Sequence, residues 1–457
     1  MTNASSLLLL AISMLSACGS GNSTPLLDGS AQKCQDLGIE PPEDGNSTPL
    51  LDVSALPANE ILSSKIRITG PAVSSEDATQ LAADNLAFGV DLYGQLRAQN
   101  SGNFIFSQTS ISLALAMLYG GAANTTAAQM ATALHFTLPP ERLHPAFNAL
   151  DLALMAQPSG TDANAFRLSI ASSTWVQTEF SFLASYLDLL AENYGAGLFI
   201  ENFASSPETA RVDINAWVST QTEQMIPELF APGSIDSSVQ LVLANAVYFH
   251  GTWNVGFNPT SPNGTFHAPT RDISIPMMSN GKNNASLWSG TGWNAASLDY
   301  EGGTTSMILV VPDAGTFDAF EQGLTADGLA SVLTPVSTHG MGIVTMPRFK
   351  FSTPSSLNSV LAALGMTDAF DPRLADLSGM DGLRDLSVGT VIHKAVIAVD
   401  EKGTTAAAAT GAPGTTLIIL ESGPTLVVDR PFLFFIRHNP TGAILFQGRV
   451  VDPSQAQ

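Results

Sequence analysis

The hydrophobic positions along the chain predict helices mainly in its first half and strands mainly in its second half. Leu81, Phe88, Leu92 and Leu96 fall on one helical face, and cap-like polar residues precede them at 75–77. The same pattern predicts helices over residues 107–119, 127–134, 182–194 and 209–230. Apolar runs predict strands over residues 168–176, 239–249, 307–311, 342–351, 391–399, 432–437 and 443–446. Because helices and strands do not alternate regularly, we expect an α+β fold rather than a doubly wound sheet.

Glycine, serine, asparagine, proline and aspartate are abundant before the first predicted helix, as is typical of a flexible tether. The sequence GNSTPLLD at residues 21–28 returns unchanged at residues 45–52. Two copies are too few for a solenoid, so we interpret the repeat as a duplicated part of the tether. We therefore expect a tether over residues 18–75 and, since no later linker interrupts the chain, one large domain over residues 76–457.

Residues 1–17 resemble the signal peptide of a bacterial lipoprotein. An apolar run at 7–15 is too short to span a bilayer, and it leads into the sequence Leu-Ser-Ala-Cys-Gly around Cys18. This ending resembles the lipobox, in which the signal is cut just before a cysteine that is acylated. The resemblance implies an outer-membrane-anchored protein at the cell surface or outside the cell. One departure from the lipobox pattern is that no lysine or arginine precedes the apolar run. The alternative is an ordinary secretory signal with an incidental cysteine.

The charge balance limits the partners of this protein. Its 457 residues include 40 acidic and 18 basic ones, which gives a formal charge of -22. Such a charge repels nucleic acids and anionic membrane surfaces. We therefore expect no nucleic-acid partner and no membrane contact except through a lipid anchor.

The sequence offers no motif for metal, cofactor or enzyme chemistry. Its two cysteines, Cys18 and Cys34, both precede the expected domain, and its seven histidines lack a zinc-binding spacing. No P-loop, Gly-x-Gly-x-x-Gly or Gly-x-Ser-x-Gly motif is present. We therefore expect no metal, no cofactor and no enzymatic activity.

Four segments resemble one family, and they occur in that family's order. Residues 393–404, HKAVIAVDEKGT, resemble the strand that leads into the reactive loop of serpins, and residues 430–450 resemble their closing strands. Residues 103–111 and 245–253 match two further serpin segments. From about residue 80 to 453 the chain therefore resembles a serpin. The resemblance implies a serpin fold of eight to nine helices packed on three β-sheets, with an exposed reactive-centre loop at about residues 401–428.

The resemblance also implies a monomeric suicide-substrate inhibitor of serine proteases. The target cleaves the loop, forms a covalent acyl-enzyme, and is trapped when the freed loop inserts into the main sheet as an extra strand. The hinge that inserts first would be Glu401, Gly403, Thr404, Ala406, Ala407, Ala408 and Ala409. Apart from Glu401, these side chains are small and neutral, as entry between two strands requires.

Pro413 favours a second hypothesis. Proline cannot donate a ladder hydrogen bond, and Pro413 lies within the segment expected to insert. If it stops insertion, the protein is a non-inhibitory serpin-fold binding protein that proteases merely cleave as a substrate.

The family spacing places the scissile bond between Leu417 and Ile418, counted from Glu401. Counting back from the far side points nearer Leu420, and we prefer the hinge count because the length of the inserted strand is mechanically fixed. An apolar residue at this bond suits chymotrypsin-, elastase- or subtilisin-like proteases, and no lysine or arginine lies between Gly403 and Asp429.

The remaining matches imply structural roles in the sheet that opens. A sheet-opening cluster of hydrogen-bonded side chains is expected from Ser107, Ser110, Asn245 and His393. Trp253 and Arg348 match the region where the loop enters, and Arg348 is expected to pair with Glu401. Gln108 stands where the family usually has proline.

Overall fold

The computed structural model describes residues 60–156, 167–334, 340–404 and 423–455. Over those ranges it contains ten α-helices, and all of them belong to one compact unit that begins at Leu56. The helices are α1 (Ser75–Gln99), α2 (Gln108–Tyr119), α3 (Asn124–Ala133), α4 (Pro140–Met155), α5 (Ala184–Tyr194), α6 (Pro207–Gln221), α7 (Phe317–Gln322), α8 (Ala326–Leu333), α9 (Asn358–Ala363) and α10 (Ser378–Asp381). None of the described helices is long and apolar enough to cross a membrane.

The same ranges contain nineteen β-strands in three sheets. The strands of the first half are β1 (Glu60–Ile61), β2 (Phe104–Phe106), β3 (Arg167–Gln177), β4 (Leu198–Glu201), β5 (Leu241–Thr252), β6 (Asn258–Pro259), β7 (Gly264–Ala268), β8 (Arg271–Ile275) and β9 (Met277–Ser279). The later strands are β10 (Ala285–Gly290), β11 (Trp293–Asp299), β12 (Thr305–Pro312), β13 (Met341–Pro347), β14 (Phe349–Ser356), β15 (Thr390–Val399), β16 (Gly403–Thr404), β17 (Thr425–Val427), β18 (Phe432–His438) and β19 (Ile444–Val450).

The main sheet has the strand order β1-β4-β3-β5-β16-β15-β14. Its central strand β5 is buried along all but its last residue, because helices cover both faces. Leu243 and Val247 belong to the large core that also contains α2, whereas Val242 and Ala246 belong to a smaller core beneath α6. This alternation decides which β5 side chains face α2.

The second sheet has the order β2-β19-β18-β12-β11-β10-β13-β9-β6, and β17 pairs in parallel with β13. It packs against the main sheet through aromatic rings. Phe349 of β14 lies 5.8 Å from Phe432 and 5.4 Å from Phe434 of β18, measured between ring centroids. The third sheet is the β7–β8 hairpin. The expected α+β arrangement with three sheets is confirmed; the ten described helices exceed the expected eight to nine, and α10 is a single turn.

Two predicted elements are wrong. The helix predicted over residues 209–230 ends at Gln221, because Glu223 and Gln224 adopt positive φ angles and the chain turns back. The backbone N–H groups of Leu229 and Phe230 then both donate to Asn215 Oδ1 of α6.

The strand predicted over residues 342–351 is in fact two strands of two different sheets. β13 belongs to the second sheet and β14 to the main sheet, and Arg348 lies at the break between them. The prediction ran through Pro347 and Arg348 because apolar, strand-like residues lie on both sides of them: β13 is mostly buried, and β14 alternates buried and more exposed residues.

The folded part of the chain begins before residue 75, where the tether was predicted to end. Residues 60–61 form a strand of the main sheet, and Arg67 contacts α4. Residues 60–74 are therefore part of the folded unit rather than of a flexible tether.

Candidate functional site

β16 is a strand of two residues that lies between β5 and β15 at one end of the main sheet. Gly403 pairs with Thr252 of β5, and Thr404 pairs with Gly251 of β5 and with Val399 of β15. Further along the sheet, β5 and β15 pair directly with each other in parallel. The start of the expected loop therefore already forms part of the main sheet, at the end where β5 and β15 separate.

A tight turn at Asp400 aims the chain into this position. The Asp400 carboxylate Oδ1 accepts hydrogen bonds from the backbone N–H groups of Lys402 (2.8 Å) and Gly403 (3.2 Å). The backbone N–H of Asp400 donates to Gly403 O at 2.9 Å. An aspartate that bonds the backbone two residues ahead is a common turn device, and here it reverses the chain between β15 and β16.

Only glycine fits at position 403. A Cβ atom there would lie 2.0 Å from Gly251 O and 2.8 Å from Thr252 Cα. Both distances are far below van der Waals contact, and both neighbours are backbone atoms that cannot move independently. The close approach of β16 to β5 therefore depends on the missing side chain.

Thr404 is completely buried, and its hydroxyl has a partner in the residue that follows β11 of the second sheet. Thr404 Oγ1 lies 2.6 Å from the phenolic oxygen of Tyr300. The Tyr300 ring stacks on Trp253 at 4.5 Å and meets Phe249 edge-on at 4.9 Å. Burial raises the pKa of Tyr300, so the phenol stays neutral and able to donate. Sequence reasoning missed Tyr300, because no local pattern links it to the hinge.

The predicted loop-entry residues surround the turn. The Trp253 backbone N–H donates to Lys402 O at 2.8 Å, and its indole Nε1–H donates to Asp400 O at 2.9 Å. Arg348 forms an ion pair with Glu401, as the resemblance implied. The Arg348 side chain is 45% exposed, so this ion pair adds little stability. The two hydrogen bonds that Trp253 donates contribute more to holding the turn in place.

The four residues of the expected sheet-opening cluster lie together beneath the main sheet. Asn245 Nδ2 donates to Ser110 Oγ on α2 and to Ser172 Oγ on β3, each at 2.7 Å. Asn245 Oδ1 lies 2.5 Å from His393 Nδ1 on β15, and His393 Nε2 accepts from the Ser107 backbone N–H at 3.1 Å. One amide thus links β3, β5, β15 and α2. Sequence reasoning missed Ser172, which only the β3–β5 register brings opposite Asn245.

His393 must be neutral in this arrangement. The amide oxygen of Asn245 can only accept, so Nδ1 carries the proton, and Nε2 is free to accept from Ser107. Burial lowers the pKa of His393 to about 3. Protonation would place a proton on His393 Nε2, which could then no longer accept the hydrogen bond from the Ser107 N–H. Low pH should therefore destabilise this cluster.

Gln108 is the first residue of α2 and is fully buried. Its side chain fills the space at Gly89 on α1, where a Cβ atom would lie 3.0 Å from Gln108 Cδ. The departure from the family's usual proline is therefore matched by a glycine on the facing helix.

Several predicted residues are not covered by the structure. Ala406, Ala407, Ala408, Ala409, Pro413, Leu417 and Ile418, together with Cys18 and Cys34, lie outside the described residues. Within the described ranges, no group of three or more His, Cys, Asp or Glu side chains could hold a metal ion.

Comparison with known proteins agrees with this architecture. A family model described as Serpin (serine protease inhibitor) matches residues 83–453. Leukocyte elastase inhibitor from Bos taurus is 39% identical over 389 residues, which cover 82% of this chain and 100% of the relative. Leukocyte elastase inhibitor A from Mus musculus is 37% identical over 384 residues, with the same coverage.

Two solved structures share the fold over most of the chain. Uncleaved ovalbumin aligns with a TM-score of 0.72 and 27% identity over 82% of this chain and 100% of its own. Tengpin, a thermophilic serpin in its native state, aligns with a TM-score of 0.73 and 26% identity over 86% of this chain and 97% of its own. This chain therefore belongs to the serpin family of serine protease inhibitors.

Proposed function

We propose that this protein inhibits serine proteases by offering its reactive loop as a substrate and then inserting the cleaved loop into the main sheet. The observation that carries the proposal is the position of Gly403 and Thr404 between β5 and β15. A strand that extends from Thr404 needs no new point of entry. It has only to displace the direct pairing of β5 with β15, which spans residues 390–396 of β15.

Backbone hydrogen bonding favours this extension. Each inserted residue bonds to strands on both sides, whereas the direct β5–β15 pairing satisfies only one edge of each strand. Each net backbone hydrogen bond contributes on the order of 1 kcal/mol, so an inserted strand stabilises the cleaved protein by several kcal/mol. That gain can drive the displacement of a protease attached to the end of the loop.

The protease step follows from the covalent chemistry of serine proteases. The serine oxygen attacks the carbonyl of Leu417, the peptide bond to Ile418 breaks, and Leu417 stays joined to the enzyme as an ester. Insertion must then outpace the attack of water on this ester. The apolar residues at the predicted bond support targets with an apolar specificity pocket. The relatives' name, leukocyte elastase inhibitor, supports elastase-like enzymes within that class.

A mixing experiment tests the proposal. The protein is incubated with pancreatic elastase or with chymotrypsin, and the products are separated on a denaturing gel and weighed by mass spectrometry. We expect a covalent band at the summed mass of the protease and the loop-cleaved inhibitor, together with a released C-terminal fragment that begins at Ile418. Complete loop cleavage without the covalent band would instead support the non-inhibitory binding protein that Pro413 favours.

Nicking the loop supplies a second readout. A protease outside the trapped classes, or a brief digestion, should cut the loop without consuming the protein. We expect the nicked form to unfold at a temperature higher by about 10 °C or more, because the inserted strand adds backbone hydrogen bonds. An unchanged unfolding temperature would mean that the intact fold stores no free energy for trapping.

The place of action is a separate part of the proposal. The lipobox-like sequence at Cys18 supports cleavage of residues 1–17, acylation of Cys18, and a monomer held at the outer membrane facing the outside. Labelling with a radioactive fatty acid tests it: wild type should take up label, and Cys18→Ser should not. Equal labelling of both proteins would contradict the lipid anchor.

A further inference from the structure

The sequence contains two Asn-Gly pairs, at residues 263–264 and 280–281. An asparagine followed by glycine is open to one particular reaction, because glycine has no side chain to keep its backbone nitrogen away from the asparagine amide. Attack by that nitrogen on the amide carbon closes a five-membered imide. The two pairs have the same chemistry, so their surroundings in the fold decide whether either of them reacts.

Asn280 is held in place by the fold. It is only 2% exposed, and both ends of its side-chain amide are bonded. Its Oδ1 accepts from the backbone N–H of Val344 at 3.0 Å, and its Nδ2 donates to Asn284 Oδ1 at 2.6 Å. The reaction would have to break both hydrogen bonds inside the protein, so Asn280 can react only after local unfolding.

Asn263 lies in the opposite environment. It is an exposed residue of the turn that joins β6 to β7, where Ser261 and Pro262 are exposed as well. Gly264, which carries the attacking nitrogen, is the first residue of β7 and pairs with Ile275 at the end of the β7–β8 ladder. The end of a two-stranded ladder opens at little cost in free energy. The amide and the nitrogen can therefore meet without unfolding the rest of the hairpin.

Packing on Met277 explains why a glycine follows Asn263. A Cβ atom at Gly264 would lie 2.6 Å from Met277 Cγ, and Met277 is buried. At the start of the same turn, the backbone N–H of Thr260 donates to Met277 O at 2.8 Å. Both ends of the turn thus contact one residue of β9. Asparagine is common in turns, so the fold brings together the two residues that the reaction needs.

We infer that Asn263 is a site of spontaneous deamidation. The Gly264 nitrogen attacks Asn263 Cγ and loses its proton, the Cγ–Nδ2 bond breaks, and ammonia leaves. Water then opens the imide at either carbonyl and returns a proton to the nitrogen, which gives aspartate or isoaspartate. Either product adds one negative charge to a protein whose formal charge is already -22. In isoaspartate the main chain also runs through Cβ and is longer by one CH2 group.

The longer main chain would arise where the fold has little space for it. Gly264 leaves no room at Met277 for even a Cβ atom, so isoaspartate before it must move the start of β7. β7 also holds the chain just beyond the reactive loop, since the His267 backbone N–H donates to Asp429 O at 2.6 Å. We therefore expect the isoaspartate form to be less stable than a form with ordinary aspartate. This expectation holds whether or not the protein traps proteases.

Peptide mapping of the folded and the unfolded chain tests the inference. The full-length protein is incubated in mildly alkaline buffer with and without urea and then digested, and the modified residues are located by mass spectrometry. In the folded protein we expect Asn263 to convert at least about tenfold faster than Asn280, because Asn280 must first become exposed. In urea both should convert at similar rates. Equal rates in the folded protein, or an unmodified Asn263, would overturn the inference.

Two variants test the consequence for stability. Asn263→Asp has the charge of the product with an ordinary main chain, and Asn263→Gln keeps an amide but cannot close the five-membered imide. Aged wild type should unfold at a temperature lower than freshly prepared Asn263→Asp by about 1 °C or more. Asn263→Gln, aged in the same way, should keep its original unfolding temperature. Equal unfolding temperatures of aged wild type and Asn263→Asp, or an equal fall in aged Asn263→Gln, would refute the displacement of β7.

Discussion

Tyr300 and Thr404 lie 104 positions apart in the chain, yet their side-chain oxygens are 2.6 Å apart in a completely buried contact. The contact joins the residue that follows β11 of the second sheet to the second residue of β16, which lies between β5 and β15. It makes the hinge a docked part of the main sheet before any protease arrives.

Removing one partner of this hydrogen bond should destabilise the intact protein. Tyr300→Phe leaves the Thr404 hydroxyl buried without its partner, and we expect the free energy of unfolding to fall by about 1–2 kcal/mol. Thr404→Val should have a comparable effect. The double variant removes both polar groups and should lose clearly less than the sum. Urea unfolding of all four proteins measures this coupling, and strictly additive losses would show that the two oxygens do not interact.

Gly403→Ala should expel the hinge from the sheet. The new methyl group would meet Gly251 O at 2.0 Å, so β16 must leave its place between β5 and β15. We expect more inhibitor molecules to be cleaved for each protease trapped, because insertion would then have to begin without a strand already docked between β5 and β15. Gly256→Ala is the control, since a Cβ atom there would meet only Glu401 O, at 3.4 Å. Equal trapping ratios for the two variants would refute a role for the docked hinge.

Thr404→Arg should convert the protein from an inhibitor into a substrate. Insertion would bury an arginine at a position that is completely closed to solvent, and burial of an unpaired charge costs several kcal/mol. Loop cleavage should continue while the covalent band disappears from the gel. Thr425→Arg places the same charge at an exposed residue of β17, on the far side of the predicted scissile bond from the inserting hinge, and should trap normally. If Thr404→Arg traps as well as wild type, the hinge does not insert.

The sheet-opening cluster predicts a particular response to acid. The pKa of His393 is about 3 in the folded protein, whereas an ordinary histidine has a pKa near 6.5. Between these two values the unfolded chain binds a proton that the folded chain does not. The free energy of unfolding therefore falls as the pH drops below about 6.5, by roughly 2–3 kcal/mol from this residue at about pH 4.5. This decrease in the free energy of unfolding levels off only near pH 3, the pKa of His393 in the folded protein.

His393→Gln removes this proton uptake. Its unfolding free energy should be lower than that of wild type near neutral pH, because the contact geometry changes, but should fall less steeply between about pH 6.5 and pH 4.5. Urea unfolding of both proteins at several pH values gives the two slopes. His144, whose pKa burial lowers to about 4, remains in both proteins and so cancels in the comparison. Equal slopes would mean that His393 can be protonated within the fold.

Local sequence pattern was sufficient where an element depends on its own side chains. The first helix and the strand predicted over residues 391–399 follow from apolar periodicity. The structure has the helix over Ser75–Gln99, which contains the predicted face from Leu81 to Leu96, and the strand over Thr390–Val399. The pattern failed at residues 342–351, because β13 and β14 both contain strand-like apolar residues and only Arg348 separates them, although they belong to different sheets. It also failed at 222–230, where a capping contact with Asn215, rather than helical periodicity, directs the chain.

The resemblance named the hinge, the Arg348–Glu401 pair and the sheet-opening cluster, but further contacts of these residues were missing from it. Asp400 carried a readable signal, since an aspartate before Glu-Lys-Gly favours a turn. Tyr300 and Ser172 carried none.

The sequence by itself determined the α+β class, and it predicted small neutral side chains for the hinge and an apolar residue at the scissile bond. Each of these is a property of residues that are close together along the chain, and a sequence pattern compares only such residues. Only the tertiary structure decided that Thr404 docks against Tyr300 and that Arg67 joins Asp151, 84 positions further on. Such pairs form because burial brings distant side chains together and then requires their polar atoms to find partners.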